Sequence, residues 1–195
     1  MTSLEAALRQ IHTDLIRAHV SFALVGGLAV SARTEPRFTR DADLAVAVTS
    51  DAEAEALIHT LRAGDYGIEA IVEQEAVGRL ATVRLTRSDA PHAPVIDLLF
   101  ASSGIEPEIV AEAESLDLLR NLTIGVARTG HLIALKVLSR DDINRPQDLA
   151  DLRALLRVAS AAELTRARES LALIERRGYH RGRDLAFEMK QILGN

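Results

Sequence analysis

Phe22-Ala23-Leu24-Val25-Gly26-Gly27-Leu28-Ala29-Val30-Ser31, followed by Arg37-Phe38-Thr39-Arg40-Asp41-Ala42-Asp43, is the stretch whose reading decides the fold. A short apolar run from Phe22 to Val25 has strand character and ends on a glycine pair. The pair opens a short helix, a polar loop follows, and a second strand, Asp41 to Val48, begins with two carboxylates one residue apart. Side chains alternate across a strand, so Asp41 and Asp43 project from one face while Ala42 points away. Two carboxylates aimed at one point repel unless a cation lies between them. A hard divalent ion with oxygen ligands meets that need, Mg²⁺ above all where phosphates are also bound. Gly26 and Gly27, lacking Cβ atoms, let the backbone approach a polyphosphate, and the N–H groups at the start of the following helix point at it. Metal and phosphate together point to phosphoryl or nucleotidyl transfer.

Outward from this stretch, the chain reads as a mixed sheet followed by helices. Leu4, Leu8, Ile11, Leu15 and Ile16 recur at helical spacing over residues 3–18. Ser50-Asp51 caps a helix running to about Arg62. Strands are predicted at Ile68–Val72, Leu80–Leu85 and Val95–Phe100, with a Gly78 turn between the first two and Pro91 and Pro94 before the last. Residues 106–116 read as helix and Leu122–Val126 as a final strand. After Thr129 only helices are predicted: His131–Ser139, Pro146–Val158, Ala161–Glu175 and Asp184–Leu193. The expected class is α+β, with a core over residues 1–128 and a C-terminal helical region over 129–195.

Composition bounds the function. Hydrophobic residues make up 48% of the 195-residue chain but aromatics only 3%, so aliphatic side chains must carry the packing. The absence of Trp argues against an extended base-stacking surface, and a net charge of −5 excludes a generally basic nucleic-acid binder while leaving room for a local patch. No cysteine is present, which removes disulfides, thiolate metal sites and a Cys nucleophile, and the six histidines show no metal-ligand spacing. No leader or membrane-length apolar run is visible, so a soluble cytoplasmic protein without a membrane partner is expected.

Further positions carry candidate chemistry. Asp97 lies inside the apolar strand Val95-Ile96-Asp97-Leu98-Leu99, where a carboxylate is expensive without a metal, a cation or hydrogen bonds. Lys136 falls on or beside the buried stripe of an apolar helix, either snorkelling or placing a point charge on a triphosphate. In Asn144-Arg145-Pro146-Gln147-Asp148-Leu149-Ala150-Asp151, both aspartates suit the positive end of a helix, and Asp148 is the first choice for a functional acid ahead of Asp151. Arg37 and Thr39 can reach phosphate or brace the loop. Arg176-Arg177-Gly178-Tyr179-His180-Arg181-Gly182-Arg183 is the clearest basic cluster, either an RNA clamp or a solvated turn.

Gly-Gly, a spacer and Arg-x-Thr-x-Asp-x-Asp together resemble the nucleotidyltransferases of the DNA polymerase β superfamily, most closely the AbiEii/MenT toxin branch. The apolar helix around Lys136 resembles the family's third motif and the Asp148 segment its fourth. Two departures stand out: Gln147 where a basic residue is usual, and Gly27 where Ser is common. The resemblance implies a polymerase-β-like core, Asp41, Asp43 and Asp97 as metal-holding acids, and Lys136 and Asp148 in catalysis. It places the nucleotide against Gly26, Gly27, Arg37, Thr39 and Lys136. It further implies Mg²⁺, or Mn²⁺ in its place, an NTP such as ATP or CTP as co-substrate, an antitoxin partner and tRNA modified at its 3′ end. A small-molecule enzyme of the aminoglycoside type and a non-catalytic interaction module are the alternatives.

Overall fold

A computed structural model describes residues 2–88, 94–141 and 146–194; Pro91, Asn144 and Arg145 lie outside the described residues. Helix α1 (Ser3–Arg17) starts with a capping box in which Thr2 and Glu5 satisfy each other's backbone N–H groups. Strand β1 (Ser21–Val25) runs directly into α2 (Gly26–Arg33). Gly26 makes that turn at φ +61°, a conformation in which a side chain would be strained. Then follow β2 (Ala42–Ala47), α3 (Asp51–Ala63) capped by Ser50, and the hairpin β3 (Tyr66–Gln74) and β4 (Arg79–Arg87). Next come β5 (Ile96–Leu99), α4 (Glu106–Ala111), β6 (Glu114–Leu119) and β7 (Leu122–Val126). Helices α5 (Thr129–Ser139), α6 (Pro146–Val158), α7 (Ala161–Arg176) and α8 (Leu185–Leu193) complete the chain.

The seven strands form one mixed sheet in the order β3-β4-β5-β2-β1-β7-β6. Its two parallel contacts, β2 with β5 and β1 with β7, lie among antiparallel neighbours. The α+β class expected from the sequence is the class observed. Aliphatic residues fill the core as the composition requires, with Ile11, Leu24, Leu44, Leu98 and Ile133 shut off from solvent.

One element differs from expectation. The helix predicted over 106–116 stops at Ala111, and Glu114–Leu119 forms strand β6 against β7. Asn121 at φ +61° turns the chain between them. Glu-Ala-Glu favours helix locally, but the alternation Leu116-Asp117-Leu118 and an adjacent strand edge win once tertiary pairing is available.

Candidate active site

Strand register assembles the acids. Val25 on β1 pairs with Asp43 on β2, Asp43 with Asp97 on β5, and Asp97 with Arg84 on β4, a single row across four strands. Residues in register share a face, so Asp43, Asp97 and Arg84 point together, and Asp41, two residues upstream, joins them. These four line a cleft of about 540 Å³ with Gly26, Gly27, Arg37, Thr39, Lys136 and Asp148. Every site residue singled out in the sequence therefore reaches one cleft, with the second-choice acid Asp151 bonded to its wall.

Glycine is required where the chain turns beneath Asp43. A Cβ on Gly26 would sit 1.9 Å from Asp43 Oδ2, so the carboxylate occupies the space a side chain would need. A Cβ on Gly27 would approach Arg37 Nη2 at 2.8 Å and Thr39 Oγ1 at 2.9 Å. The space a side chain at Gly27 would take is thus filled by those two side chains. The Gly27 backbone N–H donates to Asp43. Burial, reinforced by the neighbouring Asp97 charge and only partly offset by Lys136, pushes the Asp43 carboxyl up to about 6.

Asp97 is buried and its charge is met by a residue sequence reasoning did not single out. Arg84 Nε and Nη2 donate to its two oxygens at 2.9 and 2.8 Å, a bidentate pair. The available signal was the polar alternation Thr82, Arg84, Thr86 on a strand whose other face is Ala81, Val83, Leu85. That pattern marks a face, not a partner.

A second charged network closes the cleft from the helical side. Lys136 Nζ donates to Asp148 Oδ1 at 2.6 Å and lies 2.9 Å from Asp151 Oδ2. Arg37 Nε and Nη2 donate to both oxygens of Asp151 at 2.6 and 2.7 Å, and Ser139 Oγ donates to Asp148 Oδ2 at 3.0 Å. Burial opposes the charged form of Asp151, but hydrogen bonds from Arg37 and Lys136 outweigh it and hold its carboxyl below the usual range. Arg37 therefore ties the loop before β2 to α6, bracing the segment that carries Asp41.

With Asp97, Asp148 and Asp151 neutralised in this way, Asp41 and Asp43 make no ion pair among the described residues. No three Asp, Glu, His or Cys side chains among the described residues cage an ion by themselves. Mg²⁺ needs no such cage, since it binds through one or two carboxylates completed by substrate phosphates and water. The uncompensated pair and the raised Asp43 carboxyl fit a hard divalent cation. Asp97 can join through lone pairs that Arg84 leaves, or after Arg84 moves.

The C-terminal basic run is divided by the fold. Arg177 pairs with Glu108 at 2.6 Å, and Arg183 pairs with Glu188 while donating to the Val137 and Leu138 carbonyls at the end of α5. Both are structural. Arg181 lines the same cleft as the acids and Arg176 is exposed. Near the acids, Arg33 is bound to Glu114 and to the carbonyls of Val126 and Ala127.

No curated protein sequence is detectably similar to the chain, but solved structures share its fold. The antibiotic-resistance factor ANT(2'')-Ia aligns with a TM-score of 0.57 at 16% identity, covering 91% of this chain and 94% of its own. An antigenic nucleotidyltransferase-like protein from Paracoccidioides brasiliensis gives 0.53 at 18% identity, with 99% and 97% covered. The lincosamide antibiotic adenylyltransferase LnuA gives 0.51 at 14%, with 80% and 98% covered. The family model described as nucleotidyl transferase AbiEii toxin, type IV toxin–antitoxin system, matches residues 14–193, almost the whole chain. This protein belongs to the AbiEii nucleotidyltransferase toxin family.

Proposed function

We propose that the protein moves the NMP unit of an NTP, with Mg²⁺, to an acceptor hydroxyl at the 3′ end of tRNA, and that an antitoxin restrains it. The observation that carries the reading is the unpaired Asp41–Asp43 couple beside the Gly26–Gly27 turn, in a cleft whose remaining acids are already neutralised. The acceptor oxygen bonds to the α-phosphorus while the α–β bridging bond breaks, and pyrophosphate leaves with the electron pair. Asp41 and Asp43 would hold the metal, which would supply charge withdrawal from the entering and leaving oxygens.

The chain's own residues do the positioning. The Gly26 and Gly27 amides and the α2 N-terminus approach the triphosphate, and Lys136 supplies a point charge oriented by Asp148. Asp97 orients the acceptor hydroxyl and takes its proton, with Arg84 fixing the carboxylate. Arg37 and Thr39 hold the loop that presents Asp41. On this reading residues 1–128 are the nucleotidyltransferase core, and the helical region 129–195 contributes Lys136 and Asp148. The reading places the protein's action in the cytoplasm, and no helix among the described residues is long and apolar enough to cross a membrane.

A small-molecule acceptor is the second reading, favoured by a mostly apolar cavity beside Asp41 large enough for a drug-sized body. Incubation with each labelled NTP, Mg²⁺ and either total tRNA or an aminoglycoside panel separates the two. Label on tRNA 3′ ends supports the first reading, label on antibiotic supports the second, and label on neither overturns both.

A further inference from the structure

Beyond the catalytic cleft lies a second cavity of about 960 Å³, between α1, α2, the α2–β2 loop and β6. Leu4, Leu28, Val95, Leu116 and Leu118 contribute to an apolar wall. The two cavities share Arg37, Thr39 and Asp41, so the Asp41 loop is the partition between them. An incoming acceptor must reach the acids from a side the triphosphate does not fill, because an in-line displacement brings the nucleophile opposite the leaving group.

The rim of this cavity carries Phe38, 78% exposed in a chain with only four Phe and no Trp. A large apolar ring left in water next to Thr39 and three residues from Asp41 does nothing for the core. The Arg40 guanidinium lies 5.6 Å from the Phe38 ring centroid, and Arg40 has no carboxylate partner among the described residues. Arg37 Nη1 donates to the Phe38 carbonyl at 3.0 Å, linking this ring to the network that holds Asp151. An exposed ring with an adjacent cation is a stacking surface for a base and a contact for its phosphate.

Three carboxylates line the cavity, and Asp41 among them also faces the catalytic cleft. Glu5 accepts the Thr2 N–H in the α1 capping box at 2.9 Å, and Asp117 accepts from Thr123 Oγ1 at 2.6 Å. A flat neutral ring would find an apolar wall and an aromatic face here.

We propose that this cavity is the acceptor site and that Phe38 and Arg40 seat the terminal nucleoside of an RNA strand, its base on Phe38 and its phosphate on Arg40. The proposal rests on the nucleotidyltransferase reading above and assigns the cavity and the two side chains that hold its acceptor.

The probe is a short oligoribonucleotide whose 3′-terminal base is 2-aminopurine, with Mg²⁺ and an NTP analogue that cannot be cleaved between the α and β phosphates. Stacking on Phe38 quenches its fluorescence in the wild-type protein. Phe38→Ala, at an exposed position, should abolish the quenching and raise the acceptor KM by about tenfold to a hundredfold, with NTP affinity unchanged. Phe38→Trp should restore both, and Arg40→Ala should flatten the salt dependence of oligonucleotide binding. Unaltered quenching and KM in Phe38→Ala would overturn the proposal. So would an equal loss of NTP affinity, which would give the ring to the nucleotide's own base. Quenching without transfer to any RNA would sink the activity reading and leave the acceptor site standing. No quenching by the wild type would sink the acceptor site whether or not transfer occurs.

Discussion

Asp43→Asn should make the metal-free protein more stable, not less. The Asp43 carboxyl is pushed from its ordinary 3.8 up to about 6, chiefly by burial. At about 1.36 kcal/mol per pKa unit, holding it ionised near neutral pH costs the fold roughly 3 kcal/mol. The folded protein keeps this proton more tightly than the unfolded chain does. Stability therefore falls as pH rises from about 4 through about 6 and stays low above that range. Asparagine keeps the shape and removes the charge; the value of about 6 already includes Lys136 and the Gly27 bond, but the amide NH2 that replaces an oxygen must itself be desolvated. A net gain of about 1–2 kcal/mol remains, or roughly 2–8 °C in Tm for a chain of this size. Thermal melts in chelator at pH 7.5 should show that gain, and melts at pH 4.5 should show it shrinking. Added Mg²⁺ should raise the wild-type Tm and move the variant less. A variant that melts below wild type in chelator at pH 7.5, or a gap that ignores pH, would refute the reasoning.

Other outcomes follow from the same geometry. Asp97→Asn should slow transfer by at least about a hundredfold while nucleotide titrations show binding retained through the Gly26–Gly27 turn and Lys136; equal losses in both would mark a folding residue. Arg84→Ala releases both Asp97 oxygens, so calorimetric Mn²⁺ affinity should rise while stability drops by about 1–2 kcal/mol; unchanged affinity would mean the pair does not compete with metal. Asp151→Ala strips Arg37 of its carboxylate partner and takes one of two from Lys136, a loss of about 3 kcal/mol readable in denaturant melts. Gly27→Ser should lower Tm by displacing Arg37 and Thr39; an unchanged Tm would show that the loop simply moves aside.

Much of this protein was legible along the chain because its signals are local. The Val25-Gly26-Gly27 turn declares itself through φ > 0 and the loss of Cβ, and the Asp41-Ala42-Asp43 alternation fixes a common face with no knowledge of neighbours. The helix at Asp51 likewise announces its own start through Ser50. Strand β6 did not, because its residues favour helix until β7 offers an edge to pair with. Only the tertiary structure decided that Arg84 faces Asp97, since the pairing depends on the register of β4 against β5. The same holds for Arg37, which spans 114 positions to reach Asp151, and for Arg177 and Arg183, which look like a free basic run yet are spent on Glu108 and Glu188. Charge pairing between residues distant in sequence is a property of packing and register, and no local pattern encodes which carboxylate an arginine will meet.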